Sequence, residues 1–227
     1  MKTSIILILS LFLISFSQQA IPQKKVLNLS FGNQVRTLDP RLGGENPTTH
    51  LIRMLFDGLI RRDEEGNAAL AIAETYTFSE DFKTCTFYLK KTFWSDGTPL
   101  TADDFEYAWR KCLDPKTISD GAQNFYFIKN AERAVQRECP VSEVGIKALD
   151  PYTFQVELEF PVPYLIDILD STFFYPIPKH LDQKDPGWIY QVGRPFVSNG
   201  PFKLKEWKQA ESVTVEKNPS YWDRKHV

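Results

Sequence analysis

Phe87-Tyr88-Leu89-Lys90-Lys91-Thr92-Phe93-Trp94-Ser95-Asp96-Gly97-Thr98-Pro99-Leu100-Thr101-Ala102-Asp103-Asp104-Phe105-Glu106-Tyr107-Ala108-Trp109 carries a strand, a turn and a helix start in immediate succession. Cys85, Phe87 and Leu89 alternate with polar residues and fall on one face of a strand. Asp96-Gly97, closed by Pro99, has the composition of a tight turn. Thr101 followed by Asp104 then fits a capping box, in which hydroxyl and carboxylate each satisfy an N–H that the first helical turn leaves without a partner. Phe105, Ala108, Trp109 and Cys112 follow at i, i+3, i+4 and i+7, one apolar helical face. Asp114-Pro115 ends the helix, because the residue before a proline is pushed out of the α region.

Outward from this stretch the same patterns recur. Tyr152, Phe154, Val156, Leu158 and Phe160 alternate with Thr153, Gln155, Glu157 and Glu159, a strand with one solvated face. Phe202 and Leu204 oppose Val213 and Val215 across a hairpin joined through Lys208 to Glu211. Toward the amino end, Leu27, Leu29 and Phe31 alternate as a first strand would. Pro47 suits a first helical turn, with Leu51, Met54 and Leu55 as that helix's apolar face and Gly58 as its stop. A short helix is expected from Pro163 through Leu169.

The 227 residues are 42% hydrophobic and 25% charged, which suits one or two globular domains and excludes a disordered chain. A net charge of −2 gives no basic footprint for nucleic acid. Lys2, an apolar run from Ile5 to Ile14 and small or polar residues from Ser15 to Ala20 have the layout of a signal peptide over 1–20, with Ser15 and Ser17 at the cleavage positions. The run is shorter than the roughly 20 apolar residues of a membrane span. No cysteine precedes Cys85, so a free periplasmic protein without a lipid anchor is expected. Cys85, Cys112 and Cys139 are either small buried hydrophobes or include a disulfide at Cys139. With three histidines spread through the chain, nothing asks for a metal or a cofactor.

Trp94-Ser95-Asp96-Gly97-Thr98-Pro99-Leu100-Thr101-Ala102-Asp103-Asp104-Phe105 resembles the signature of the peptide-binding receptors of bacterial ABC importers, the oligopeptide-binding proteins of extracellular solute-binding family 5. Leu38-Asp39-Pro40, Leu55-Phe56-Asp57-Gly58-Leu59, Pro161-Val162-Pro163-Tyr164, Asn199-Gly200-Pro201-Phe202 and Asn218-Pro219-Ser220-Tyr221-Trp222-Asp223 extend the resemblance. It implies an α/β fold of the periplasmic binding protein type, class II, in which a mixed-sheet first lobe carries an inserted small α/β lobe. The corresponding divisions are 21–58 and 186–227 for the first lobe and 59–185 for the small one. It further implies a receptor that adds an extended peptide as a strand, closes on it and delivers it to permease subunits. Heme, nickel, sugars and cell-wall peptides are other ligands that the family's scaffold admits.

The resemblance also suggests site residues. Gly44, Glu45 and Asn46 correspond to backbone that pairs with the peptide, or form a plain glycine loop. A ligand-contacting aromatic of the relatives falls opposite Gly121; Phe125 or Tyr126 either compensates or belongs to the core. Ser198, Asn199 and Gly200 match a cleft segment, and Asn199 is either a ligand of the peptide backbone or a turn asparagine. Relatives continue beyond the point matching Val227 into a second large lobe, so half a cleft is expected here. Either a second polypeptide supplies the other wall, or the chain is a truncated, non-transporting interaction or chaperone-like protein, or an inactive fragment. An enzyme is not expected. Asp103, Asp104 and Glu106 are explained by capping and the helix dipole, Glu157 and Glu159 by a solvated strand face, and no GxSxG, HExxH or phosphate-loop motif occurs.

Overall fold

Alternation alone places Phe87 inward, and its neighbours show what it meets. In a computed structural model, which describes residues 26–30, 34–42, 46–117, 119, 121–190 and 196–227, with backbone only for Asn46 and Pro47, Thr84–Leu89 is the second strand of an antiparallel sheet. The described elements are α1 (Asn46–Leu55), β1 (Ile60–Arg62), β2 (Ala68–Leu70), β3 (Ala73–Phe78), β4 (Thr84–Leu89), β5 (Thr92–Phe93), β6 (Pro99–Leu100) and α2 (Ala102–Leu113). They continue with α3 (Ala131–Val135), β7 (Ile146–Asp150), β8 (Thr153–Glu157), α4 (Leu165–Ile168), α5 (Lys179–Asp182), β9 (Phe202–Lys208) and β10 (Ser212–Lys217).

The main sheet has the order β3-β4-β8-β7, with Phe87 opposite Phe154 and Cys85 opposite Val156. Cys85, Phe87, Phe154 and Val156 are buried on its inner face, and α2 lies across that face. All four residues of the expected apolar face of α2, Phe105, Ala108, Trp109 and Cys112, are buried. Trp109 is the centre of this layer: its ring stands edge-on to Phe154 at 5.0 Å and meets Phe125 at 5.6 Å and Phe174 at 5.3 Å. Its indole N–H, which burial would otherwise orphan, donates to the Phe174 carbonyl at 2.8 Å. The three cysteines are free, Cys85 and Cys112 buried and Cys139 half-buried. Burial pushes both of the buried thiols up to about 12.

The hairpin β9–β10 forms with Leu204 opposite Val215 and Val213 opposite Trp207, and a bulge between Thr214 and Val215 absorbs the mismatch. Buried Trp207 belongs to β9, the strand of this hairpin that packs on α1. In α1, Leu51 and Leu55 face inward as expected, and fully buried Ile52 joins them.

Two expectations are corrected. The first strand through Leu27 and Leu29 does not form: residues 26–30 have no regular structure and the two leucines are 80% and 53% exposed, Phe31 lying outside the described residues. Alternation makes a strand only where a neighbour completes its hydrogen bonds. The strand expected to reach Phe160 ends at Glu157; Leu158 keeps one bridge to Ile128, and Phe160 is 49% exposed. Every strand pairing among the described residues is antiparallel. Residues Gly32–Val227 form one compact unit. The signal-peptide residues 1–20 lie outside the described residues. Among the described residues, no helix is long and apolar enough to cross a membrane.

Candidate functional site

Trp94 is fully buried, and its indole N–H needs an acceptor in an apolar setting. Asp104 supplies it: Oδ2 accepts from Trp94 Nε1 at 3.2 Å and from the Thr101 N–H at 2.9 Å. Oδ1 accepts from the Lys179 N–H at 3.1 Å, where α5 begins. The second member of the capping box therefore ties the turn, the start of α2 and α5 together. Burial holds its carboxyl above the usual range, opposed by the Thr101, Lys179 and Trp94 donors.

The segment 198–200 is fastened at each residue. The Ser95 N–H donates to the Ser198 carbonyl at 2.8 Å, and the Ser198 N–H donates to Ser95 Oγ at 3.1 Å. Asn199 Oδ1 accepts the Asp57 N–H at 3.1 Å, while its Nδ2 donates to the Asp57 carbonyl at 2.8 Å. The Gly200 N–H donates to the Leu55 carbonyl at 2.8 Å, so close to α1 that a Cβ would sit 2.5 Å from the Leu55 carbonyl carbon.

Asp57 is the centre of this knot. Its carboxylate, in a buried residue, accepts Tyr221 Oη at 2.8 Å and Trp222 Nε1 at 3.0 Å, both on Oδ2. Arg61 bonds the Tyr221 hydroxyl at 3.0 Å and pairs with Asp223 at 2.8 Å, and both Arg61 and Lys90 lie over the Trp222 ring. Burial raises the Asp57 carboxyl, although the Trp222 and Tyr221 donors and the Arg61 charge pull the other way. Burial and the adjacent carboxylate also raise the Tyr221 phenol.

The residues singled out from the sequence fall into different settings. Gly44 and Glu45 lie outside the described residues, as does the side chain of Asn46, whose backbone starts α1. Phe125 is fully buried against Trp109 and Phe174, the latter at 4.7 Å, and Tyr126 beside it is half-buried. Ser198, Asn199 and Gly200 are brought together and buried, with the Asn199 side chain spent on Asp57. Gly121 has its place for a side chain filled by Phe173, whose Cδ1 would stand 2.1 Å from an added Cβ. Asp57, Tyr221, Trp222 and Phe173 were not singled out as individual residues. An acid within the apolar run Leu55-Phe56-Asp57-Gly58-Leu59 was the available signal, since a buried carboxylate demands donors from elsewhere.

The sequence model of the bacterial extracellular solute-binding proteins, family 5 Middle, matches residues 67–227. The chain is 37% identical over 205 residues to the oligopeptide-binding protein OppA of Bacillus subtilis, covering 90% of this chain and 38% of that protein. It is 37% identical over 207 residues to the periplasmic oligopeptide-binding protein OppA of Salmonella typhimurium, covering 89% and 38%. Among solved structures it matches the substrate-binding domain of an oligopeptide ABC transporter from Bacillus anthracis with a TM-score of 0.83 and 36% identity, over 88% of this chain and 39% of that one. It also matches Haemophilus influenzae OppA in complex with the peptide RPPGFSPFR, with a TM-score of 0.81 and 32% identity, over 86% and 38%. The chain thus spans about 38% of the length of the curated relatives it matches. With Asp57, Asn199, Tyr221 and Trp222 locked into the peptide-binding type of periplasmic binding protein fold, the chain belongs to the bacterial extracellular solute-binding proteins of family 5.

Proposed function

We propose that this chain serves an oligopeptide ABC importer in the periplasm, binding extended peptides through backbone hydrogen bonds and passing them to the permease subunits, without chemistry of its own. The observation that carries this reading is the likeness to Haemophilus influenzae OppA in its peptide complex, at 32% identity over 86% of the chain. The proposed contacts are the backbone of Gly44, Glu45 and Asn46 and the segment Ser198, Asn199 and Gly200, with Tyr126 as an aromatic neighbour. Phe125 and the Asn199 side chain act from behind: one fills the core, the other fixes the segment to Asp57. Backbone recognition fits a receptor that tolerates varied side chains, because the peptide supplies the same N–H and C=O groups whatever its sequence.

A thermal melt with and without a saturating mixture of short peptides tests the proposal. A ligand at 100 times its Kd stabilises the native state by about 2.7 kcal/mol, roughly 5–11 °C for a domain of this size. A shift of that order is expected. A cooperative melt that peptides do not move would overturn binding by this chain alone and would favour a partner supplying the opposite wall, or a surface-interaction role.

A further inference from the structure

Arg41 is a buried cation held between two carboxylates from distant parts of the chain. Its Nε and Nη2 donate to Asp39 Oδ1 and Oδ2 at 2.9 and 2.7 Å. Nη1 and Nη2 donate to Asp182 Oδ2 and Oδ1 at 3.2 Å each. Asp182, the last residue of α5, also accepts the Tyr107 hydroxyl of α2 at 2.8 Å and Trp188 Nε1 at 3.0 Å. The Ser119 hydroxyl donates to the Arg41 carbonyl at 2.9 Å, and the Tyr190 hydroxyl reaches Asp39 at 3.5 Å. Asp39, Arg41 and Asp182 are all buried.

Two carboxylates against one guanidinium leave an excess negative charge inside the protein. Such a cluster is costly to desolvate, and a packed apolar one would often be as stable. Its distinctive property is geometry: a planar fork fixes two carboxylates in direction as well as distance. The turn at 39–42, closed by the Leu42 N–H on the Asp39 carbonyl at 3.1 Å, is thereby bolted to α2 and α5 immediately before α1 starts at Asn46.

We propose that Arg41 is a positioning residue: its two-sided ion pair with Asp39 and Asp182 fixes the 39–42 turn against α2 and α5, and so sets where α1 begins. The consequence for affinity rests on the peptide-binding reading, because Asn46 borders the backbone proposed to pair with the ligand. Without Arg41 the two carboxylates would face each other with no cation between them. The Tyr107 and Tyr190 phenols are held high by burial and the adjacent carboxylates, and the Cys112 thiol is pushed up to about 12. On α5, Lys179 pairs with Asp103 and His180 with Asp96, and beyond it Asp185 accepts from the Gly187 N–H.

Hydrogen–deuterium exchange of the whole chain tests the proposal, each variant being compared with wild type at the same pH. At pH 8, Arg41→Met should cost the amides of 50–53 and 188–190 at least tenfold in protection, while β4 and β8 keep theirs. Arg41→Met combined with Asp182→Asn should lose little more than Arg41→Met alone, because both substitutions cut the same tie. Wild-type protection in Arg41→Met, or losses in the two single variants that simply add in the double one, would overturn the proposal. If Arg41→Met does not fold, Asp182→Asn alone decides: it cuts the tie to α5 but leaves Arg41 paired with Asp39, so a loss at 50–53 is expected, and unchanged exchange refutes it. Titration with the short-peptide mixture should show binding at least tenfold weaker in Arg41→Met at pH 8. Wild type that binds no peptide refutes the peptide reading and leaves the exchange result standing by itself.

Discussion

At Gly200 one added carbon meets backbone on the other side. The nearest atoms to an added Cβ are Leu55 C at 2.5 Å and Phe56 N at 2.6 Å, which cannot swing away as a flexible side chain can. Gly200→Ala should therefore destabilise by about 1–3 kcal/mol, the range of overpacking, and a melting temperature within about one degree of wild type would contradict the contact. Asp57 gives a prediction with a sign. Its folded carboxyl is raised above the ordinary value of 3.8, burial being the largest cause. A raised carboxyl favours the folded state fully below its unfolded pKa, and this contribution is lost as the pH climbs through the folded value. Asp57→Asn lacks that proton, so its cost in urea should be larger at pH 4 than at pH 7. An equal cost at both would show that Asp57 titrates in the folded chain as it does unfolded. Neither residue's partner could be read locally, because Asp57 meets Tyr221 and Trp222 and Gly200 meets Leu55 only after the chain has folded back on itself.

α2 shows what an element inherits from its own sequence and what it takes from others. Asp103 and Asp104 are adjacent acids in its first turn, where the helix dipole favours both. Asp104 is buried and serves Trp94, Thr101 and Lys179, whereas Asp103 is exposed and pairs with the Lys179 ammonium at 3.1 Å. Each buried donor left without a partner costs about 1–3 kcal/mol, so Asp104→Ala should lose at least about 2 kcal/mol in chemical denaturation. Asp103→Ala, which breaks an exposed pair, should lose less than about 1 kcal/mol, and similar losses for the two would refute the distinction. The cap, the apolar face and the inward alternation of β4 and β8 were legible because helix and strand periods are local properties. The same alternation failed at Leu27 and Leu29 and again at Phe160, where, among the described residues, no neighbouring strand completes the ladder. Asn199 and Phe125 were legible as special residues but not as to which way they face. The Asn199 amide is taken up by the Asp57 backbone, and Phe125 lies under Trp109 and Phe174. The Arg41 cluster was illegible for a simpler reason, since its partner Asp182 is 141 residues away.

Over the whole molecule, the ties that close the fold run between residues far apart in sequence. Asp57 holds Tyr221 and Trp222, Arg61 holds Asp223, Ser95 holds Ser198 and Arg41 holds Asp182. The stretch 59–185, expected from the sequence as a separate small lobe, contributes one partner to three of these four ties: Arg61, Ser95 and Asp182. A lobe that melted alone would first have to break these contacts, leaving Asp223, Ser198 and Arg41 without them. The segment 32–227 should therefore unfold in one cooperative transition. The tryptophans report on both sides of the proposed boundary, Trp94 and Trp109 inside 59–185 and Trp188, Trp207 and Trp222 outside it. Heating curves followed by tryptophan fluorescence and by far-ultraviolet circular dichroism should superimpose, as two-state unfolding requires. An earlier fluorescence transition that survives replacement of Trp188, Trp207 and Trp222 by phenylalanine would place the first loss of structure inside 59–185. That result would make it an independently melting lobe, and the ties at Arg61, Ser95 and Asp182 would then be contacts between lobes rather than parts of one core.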